Sequence, residues 1–189
     1  MLYFKLRRYI IKGNIFMHKP HITPTNEEKI MDQNDFIVSK TDTKGIITYC
    51  NQIFMDMAGY KEDELIRVNH NLIRHPDMPQ VAFKLAWDLI QSGKEFFGFV
   101  KNLQKNGGFY WVFAHITPDY DPNGNIIGYT SVRRKPPREV LPTIDGLYKQ
   151  LCDAEAKGGM KASGELLMQF LEDNNTTYDE LVLSLQGDR

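Results

Sequence analysis

SGKEFFGFVKNLQKNGGFYWVFAHITPDYDPNGNIIGYTSVRR, residues 92–134, decides the fold. Aromatic and β-branched residues crowd into stretches separated by turn signals, the composition of strands. Asn106-Gly107 favours the hairpin turn whose twist matches the strands on either side. Asp121-Pro122-Asn123-Gly124 makes a second tight turn, and Asn125–Arg134 continues as another strand. Lys135-Pro136-Pro137 stops the sheet. Three consecutive antiparallel strands follow. Along "FYWVFAH" alternation sets Tyr110, Val112 and Ala114 on one face and Phe109, Trp111 and Phe113 on the other. Both faces are apolar, so either can meet a core.

Upstream, "DFIVSKTD" (35–42) reads as a strand with Phe36 and Val38 on one face, and Gly45 closes the turn after it. "IITYC" (46–50) is a second β-branched strand. "NQIFMDMAGY" then changes to helical period, with Ile53, Phe54 and Met57 on one side and Gly59 ending the helix. "KEDELI" adds one charged helical turn. Two strands, short helices, a longer helix and three strands make an α+β layout. The expected architecture is a five-stranded antiparallel sheet with short helices on one face and room for a small molecule between them.

"NHNLIRHPDMPQVAFKLAW" (69–87) places His70, Arg74, His75 and Asp77 before the longer helix. Asp77, followed by Pro79 and Gln80, has the pattern of an N-cap, a first-turn proline and a reach-back amide. Gln80, Lys84, Asp88 and Gln91 form a thin polar stripe on an otherwise apolar helix, which is therefore mostly buried.

The flanks differ from this core. From Glu139 to Arg189 there are ten acidic and four basic residues. Leu147 and Leu151, Leu166, Leu167, Phe170 and Leu171, and Leu181, Val182 and Leu185 keep helical spacing, with Gly158-Gly159 between two of the pieces. Residues 139–189 are expected to be an acidic helical tail whose leucine stripe either caps its own sheet or packs on a second copy or on a transducer's helices. At the other end Lys5, Arg7, Arg8 and Lys12 interrupt the apolar residues, so no signal-peptide core forms. Residues 1–33 are expected to be a basic arm and linker, with Met17 as an alternative start and a membrane-surface helix as the sharper alternative. The domain between them is placed at 34–138.

The whole chain has 189 residues and a formal net charge of −1, which gives no reason to expect a nucleic-acid partner. Two cysteines without a CxxC pair suit a reducing, cytoplasmic compartment. No apolar run approaches the ~18 residues of a membrane span. No Ser/His/Asp set, P-loop or HExxH spacing suggests an enzyme.

"GIITYCNQIFMDMAGYKEDELI" resembles the strand–helix core of PAS domains. "NLIRHPDMPQVAFKLAW", "VKNLQKNGGFYWV" and "IIGYTSVRRKP" together resemble the flavin-binding PAS domain of Aer-type energy-taxis receptors, over about 34–138. Aer-type proteins continue into membrane and signalling segments, and the expectation here is the PAS partner of split receptors (CetB-type). That resemblance implies a non-covalent FAD, a redox signal for aerotaxis or energy taxis, a membrane-bound methyl-accepting-type transducer and a possible homodimer.

The resemblance also assigns residues. Arg74 and His75 match positions used around the FAD, and an Arg fork suits a pyrophosphate. Asp77 belongs to the same motif, with helix capping as its alternative. Asn102 matches a flavin-contacting Asn, whose amide can rearrange its hydrogen bonds as the ring is protonated. Asn51 also matches a flavin-site position and equally suits an N-cap. Phe83 and Trp87 can wall the ring or belong to ordinary core. Phe96 stands where Aer-type domains place Trp, which keeps an aromatic wall and loses an indole donor. Two other readings stand beside this one. A haem b gas sensor needs an axial ligand from His70, His75 or His115, and a ligand-free interaction module needs none.

Overall fold

The computed structural model describes residues 22–187. The expected basic arm over 1–16 and the alternative start at Met17 lie outside the described residues.

The sheet is antiparallel throughout. It contains β1 (Ile37–Asp42), β2 (Ile47–Cys50), β3 (Phe96–Leu103), β4 (Phe109–Tyr120) and β5 (Ile126–Arg134), in the order β2-β1-β5-β4-β3. The two short hairpins are closed by the same device. Asp42 Oδ1 accepts the Lys44 and Ile46 N–H groups, and Asp121 Oδ1 accepts those of Asn123 and Asn125. Gly45 and Gly124 each adopt positive φ.

Helices α1 (Gln52–Ala58), α2 (Glu62–Leu65) and α3 (Gln80–Gln91) cover one face. Gly59 caps α1 in the left-handed region at φ 75°. Gln80, Lys84, Asp88 and Gln91 are the exposed stripe of α3, as their spacing requires. The register places Phe96, Gly98, Val100 and Asn102 opposite Ile116, Ala114, Val112 and Tyr110 on the helix-covered face.

β1 shows which of its faces is buried. Phe36 lies outside the strand and is exposed, whereas Ile37 and Ser39 are buried, paired in register with Arg133 and Ser131. Both sets alternate, and contact with the helices selects the Ile37 face. Residues 22–31 run along the start of β4. Thr25 and Lys29 N–H groups donate to Gly107 and Phe109 carbonyls, and Met31 is buried in the main core.

The tail forms α4 (Leu141–Asp173) and α5 (Tyr178–Gln186), after a single 3-10 turn at Arg138–Val140. α4 bends at Gly158-Gly159, where the backbone leaves helical geometry. Its apolar stripe does not wait for another chain. Leu141, Ile144, Tyr148, Leu151, Leu167, Leu171 and Val182 are buried with Phe99, Trp111 and Phe113 in one cluster. Of the two expectations for this stripe, packing on its own sheet is the one observed. The outer face of β3 and β4 offers an equally apolar surface at no cost in association entropy.

Candidate functional site: a cavity between α3 and the sheet

A cavity of about 650 Å³ opens between α3 and the sheet. Ala82, Phe83, Ala86, Trp87 and Ile90 line it from α3, and Phe96, Val100, Asn102, Ala114 and Tyr129 line it from the strands. The size is that of an ordinary ligand pocket. Trp87 meets Tyr129 edge to face with ring centroids 5.5 Å apart. Gly45 lets the β1–β2 turn close over Trp87. A Cβ there would lie 3.2 Å from the indole, and φ is 79°. Arg74 stacks its guanidinium over Phe83 at 4.0 Å.

The polar floor is built around Arg133, a residue that sequence reasoning passed over. Arg133 on β5 is 2% exposed. Its Nη2 donates to Ser39 Oγ, and its guanidinium carbon lies 4.6 Å from the Phe54 ring centroid. Nε and Nη1 have no hydrogen-bond partner among the described residues. Burial lowers the pKa of Arg133 to about 10, so it stays a cation at neutral pH. Ser39 accepts from Arg133 and shares a 3.1 Å hydrogen bond with His70 Nε2. His70 stacks on Phe54. Burial, then the neighbouring Arg133 charge, lowers the His70 pKa to about 3, so the imidazole is neutral. Tyr110, buried and outside the cavity lining, has no partner for its hydroxyl among the described residues. A buried cation beside unsatisfied donors is costly unless something supplies acceptors or negative charge.

Five of the eight expected site residues line this cavity: Arg74, Phe83, Trp87, Phe96 and Asn102. Asn102 is 4% exposed and its Nδ2 has no partner among the described residues. Asn51, His75 and Asp77 do not line it. Asn51 Oδ1 accepts the Phe54 N–H at 3.1 Å, capping α1, and the Val38 N–H at 3.0 Å, while Nδ2 donates to the Phe36 carbonyl at 2.7 Å. Its polar atoms bind backbone, as an N-cap requires. His75 is buried, its Nδ1 accepting the Asp77 N–H and its ring edge-on to Phe109.

Asp77 is not the cap of α3. Its carboxylate is exposed and pairs with Lys101 Nζ at 2.7 Å. The cap comes from Glu155 in α4, whose two oxygens accept the Gln80 and Val81 N–H groups, each at 2.9 Å. Pro79 precedes α3 without a side-chain bond.

Of the three histidines considered as haem ligands, only His70 lines the cavity. His115 stacks on Phe97 and pairs with Glu95 on the other face. Among the described residues no cluster of His, Cys, Asp and Glu is arranged to hold a metal ion. Alternation alone could have flagged Arg133. Two adjacent arginines on a strand point to opposite faces, so "VRR" must send one inward. Tyr148 and Met160, which reach the cavity from the tail, carried no such signal.

Residues 47–133 match the family described as the PAS fold. The chain is 38% identical over 132 residues to the aerotaxis receptor of Escherichia coli, covering 70% of this chain and 26% of the receptor. It is 28% identical over 105 residues to a nitrogen fixation regulatory protein of Klebsiella pneumoniae, covering 56% of this chain and 21% of that protein. It thus spans about a quarter of the length of these relatives. Among solved structures, the light-state LOV domain of the blue-light photoreceptor Aureochrome1 superposes with a TM-score of 0.52 at 21% identity. That superposition covers 59% of this chain and 88% of the LOV chain.

Proposed function

The chain carries a PAS domain related to that of an aerotaxis receptor, and from that premise we propose that it is a redox sensor holding FAD non-covalently between α3 and the sheet. The observation that carries this reading is the pairing of flat apolar walls with buried donors that lack acceptors. Trp87, Phe83 and Tyr129 suit a planar ring. Arg133 Nε and Nη1 and Asn102 Nδ2 suit carbonyl and nitrogen acceptors on its edge. A flavin supplies reversible electron and proton uptake. Arg133 favours added negative charge in a place with no carboxylate to neutralise it. Ser39 and the neutral His70 keep the floor hydrogen-bonded without a second cation. Asn102 can offer either its carbonyl or its amide as the ring changes protonation. Arg74, at the cavity mouth above Phe83, fits the anionic end of a dinucleotide.

Signalling then passes to a separate membrane-bound transducer of the methyl-accepting type, with the sensor cytoplasmic and membrane-associated only through that partner. No helix among the described residues is long and apolar enough to cross a membrane.

The test is an absorption spectrum and flavin count on the purified chain. The expected result is a yellow protein whose flavin is released on denaturation and is FAD by chromatography. A red protein with haem bands, or a colourless one that takes up no added FAD, would defeat the assignment.

A further inference from the structure

Residues 160–186, the part of the tail beyond the bend, touch the cavity walls on both sides of the gap between α3 and β3. Tyr178 packs among Ala86, Ile90 and Phe96. Its ring is stacked on Phe96 with centroids 5.9 Å apart and planes at 17°. Phe96 itself lines the cavity. Gly98 makes the approach possible, because a Cβ there would lie 2.8 Å from the Tyr178 hydroxyl and 2.7 Å from the Phe96 ring. Met160 lines the cavity from the start of the same segment.

A pivot and a catch lie at its base. Gly158 and Gly159 interrupt α4, and Gly159 has φ 68° and ψ −172°, a region essentially closed to other residues. Both glycines are exposed. Across the bend the single proton of the buried Ser163 hydroxyl is shared between Glu155 Oε1 at 3.0 Å and the Met160 carbonyl at 3.1 Å. That same carboxylate binds the first-turn N–H groups of α3. The half of α4 before the bend is fixed separately, by Tyr148 donating to the Phe99 carbonyl at 2.8 Å and by Leu151 in the core.

We propose that residues 160–186 are a hinged flap closing the gap between α3 and β3, pivoting at Gly158-Gly159, held by Ser163–Glu155, by Tyr178–Phe96 and by burial of Leu167, Leu171 and Val182, and coupled to what fills the cavity. A ligand that contacts Phe96 and Met160 stabilises the closed flap. By reciprocity a loosened flap weakens retention of the ligand. The coupling to flavin rests on the proposed function, whereas the hinge does not.

Hydrogen exchange read by mass spectrometry on the full chain tests this, with FAD as the probe. In protein stripped of FAD, amides of 160–173 and 178–186 should exchange about tenfold faster than in FAD-loaded protein, with β2 and α1, which do not line the cavity, unchanged. Ser163→Ala and Tyr178→Ala should each raise exchange in the same segments without ligand and shorten FAD retention. Equal flap exchange in loaded, stripped and variant proteins would overturn the proposal, as would a rise spread evenly over the sheet. If the chain takes up no FAD, the flavin assignment fails, and the flap stands or falls on the ligand-free comparison of the two variants with the unaltered chain.

Discussion

Arg133 is the residue on which the site turns. A buried cation without a carboxylate contributes little to stability, and a well-packed apolar residue in its place is often neutral or stabilising. Arg133→Met should therefore leave the melting temperature unchanged or raised, while FAD binding weakens by about 2 kcal/mol, roughly thirtyfold, as a charged hydrogen bond is lost. Titration of stripped protein with FAD, beside a melting curve, separates the two effects. His70 has the opposite signature. Its folded pKa is near 3, against an ordinary 6.5. The unfolded chain binds the proton first, so stability falls as pH drops below 6.5 and continues to fall towards 3. At pH 5 the loss from this group is about 2 kcal/mol. Denaturant unfolding at pH 7 and pH 5 should show that loss shrinking in His70→Gln, and an identical pH slope in both proteins would contradict the assigned pKa. Neither Cys50 nor Cys152 lines the cavity, so blue light should produce no thiol adduct, and a reversible bleach of the flavin band would show otherwise.

At the scale of elements, Asn51 and Glu155 show two kinds of cap. Asn51 is local: it caps α1 and ties that helix to Phe36 and Val38 beside β1. Asn51→Ala should lower unfolding free energy by about 2–3 kcal/mol, the sum of a cap and two tying bonds, with FAD affinity of the folded protein little altered. An unchanged stability with lost flavin would return Asn51 to the binding site. Glu155 is remote, 75 residues after Gln80 in the chain. The "DMPQ" sequence has every local feature of a helix start, and Asp77 still turns to Lys101 instead. Capping pattern identifies where a helix begins; which carboxylate reaches the free N–H groups depends on what packs there.

For the whole molecule, the tail is part of the core. Phe99, Trp111 and Phe113 are buried beneath it. Ending the chain at Arg138 would expose these aromatic side chains and Ala82, at about 1.5–3 kcal/mol for each large one. That is on the order of a domain's entire stability. The truncated protein should be insoluble or melt far lower than the full chain. A soluble 22–138 fragment with an unchanged melting temperature would mean that the tail only rests on the sheet.

The antiparallel strands, their turns, the α3 stripe and the break at Gly158-Gly159 were legible in sequence because each depends on neighbours within a few residues. Period-2 alternation, Asx turns and glycine's access to positive φ act locally. Five cavity residues were legible through a resemblance, not through spacing. Tertiary structure alone decided that Ile37 rather than Phe36 faces inward, that both faces of "FYWVFAH" are covered and that Glu155 caps α3. It also decided that the tail's leucines pack on their own sheet. In each case two apolar faces or two carboxylates were locally equivalent. Burial against elements distant in the chain broke the tie, because apolar surface and unpaired N–H groups are stabilised by whatever the fold brings within reach.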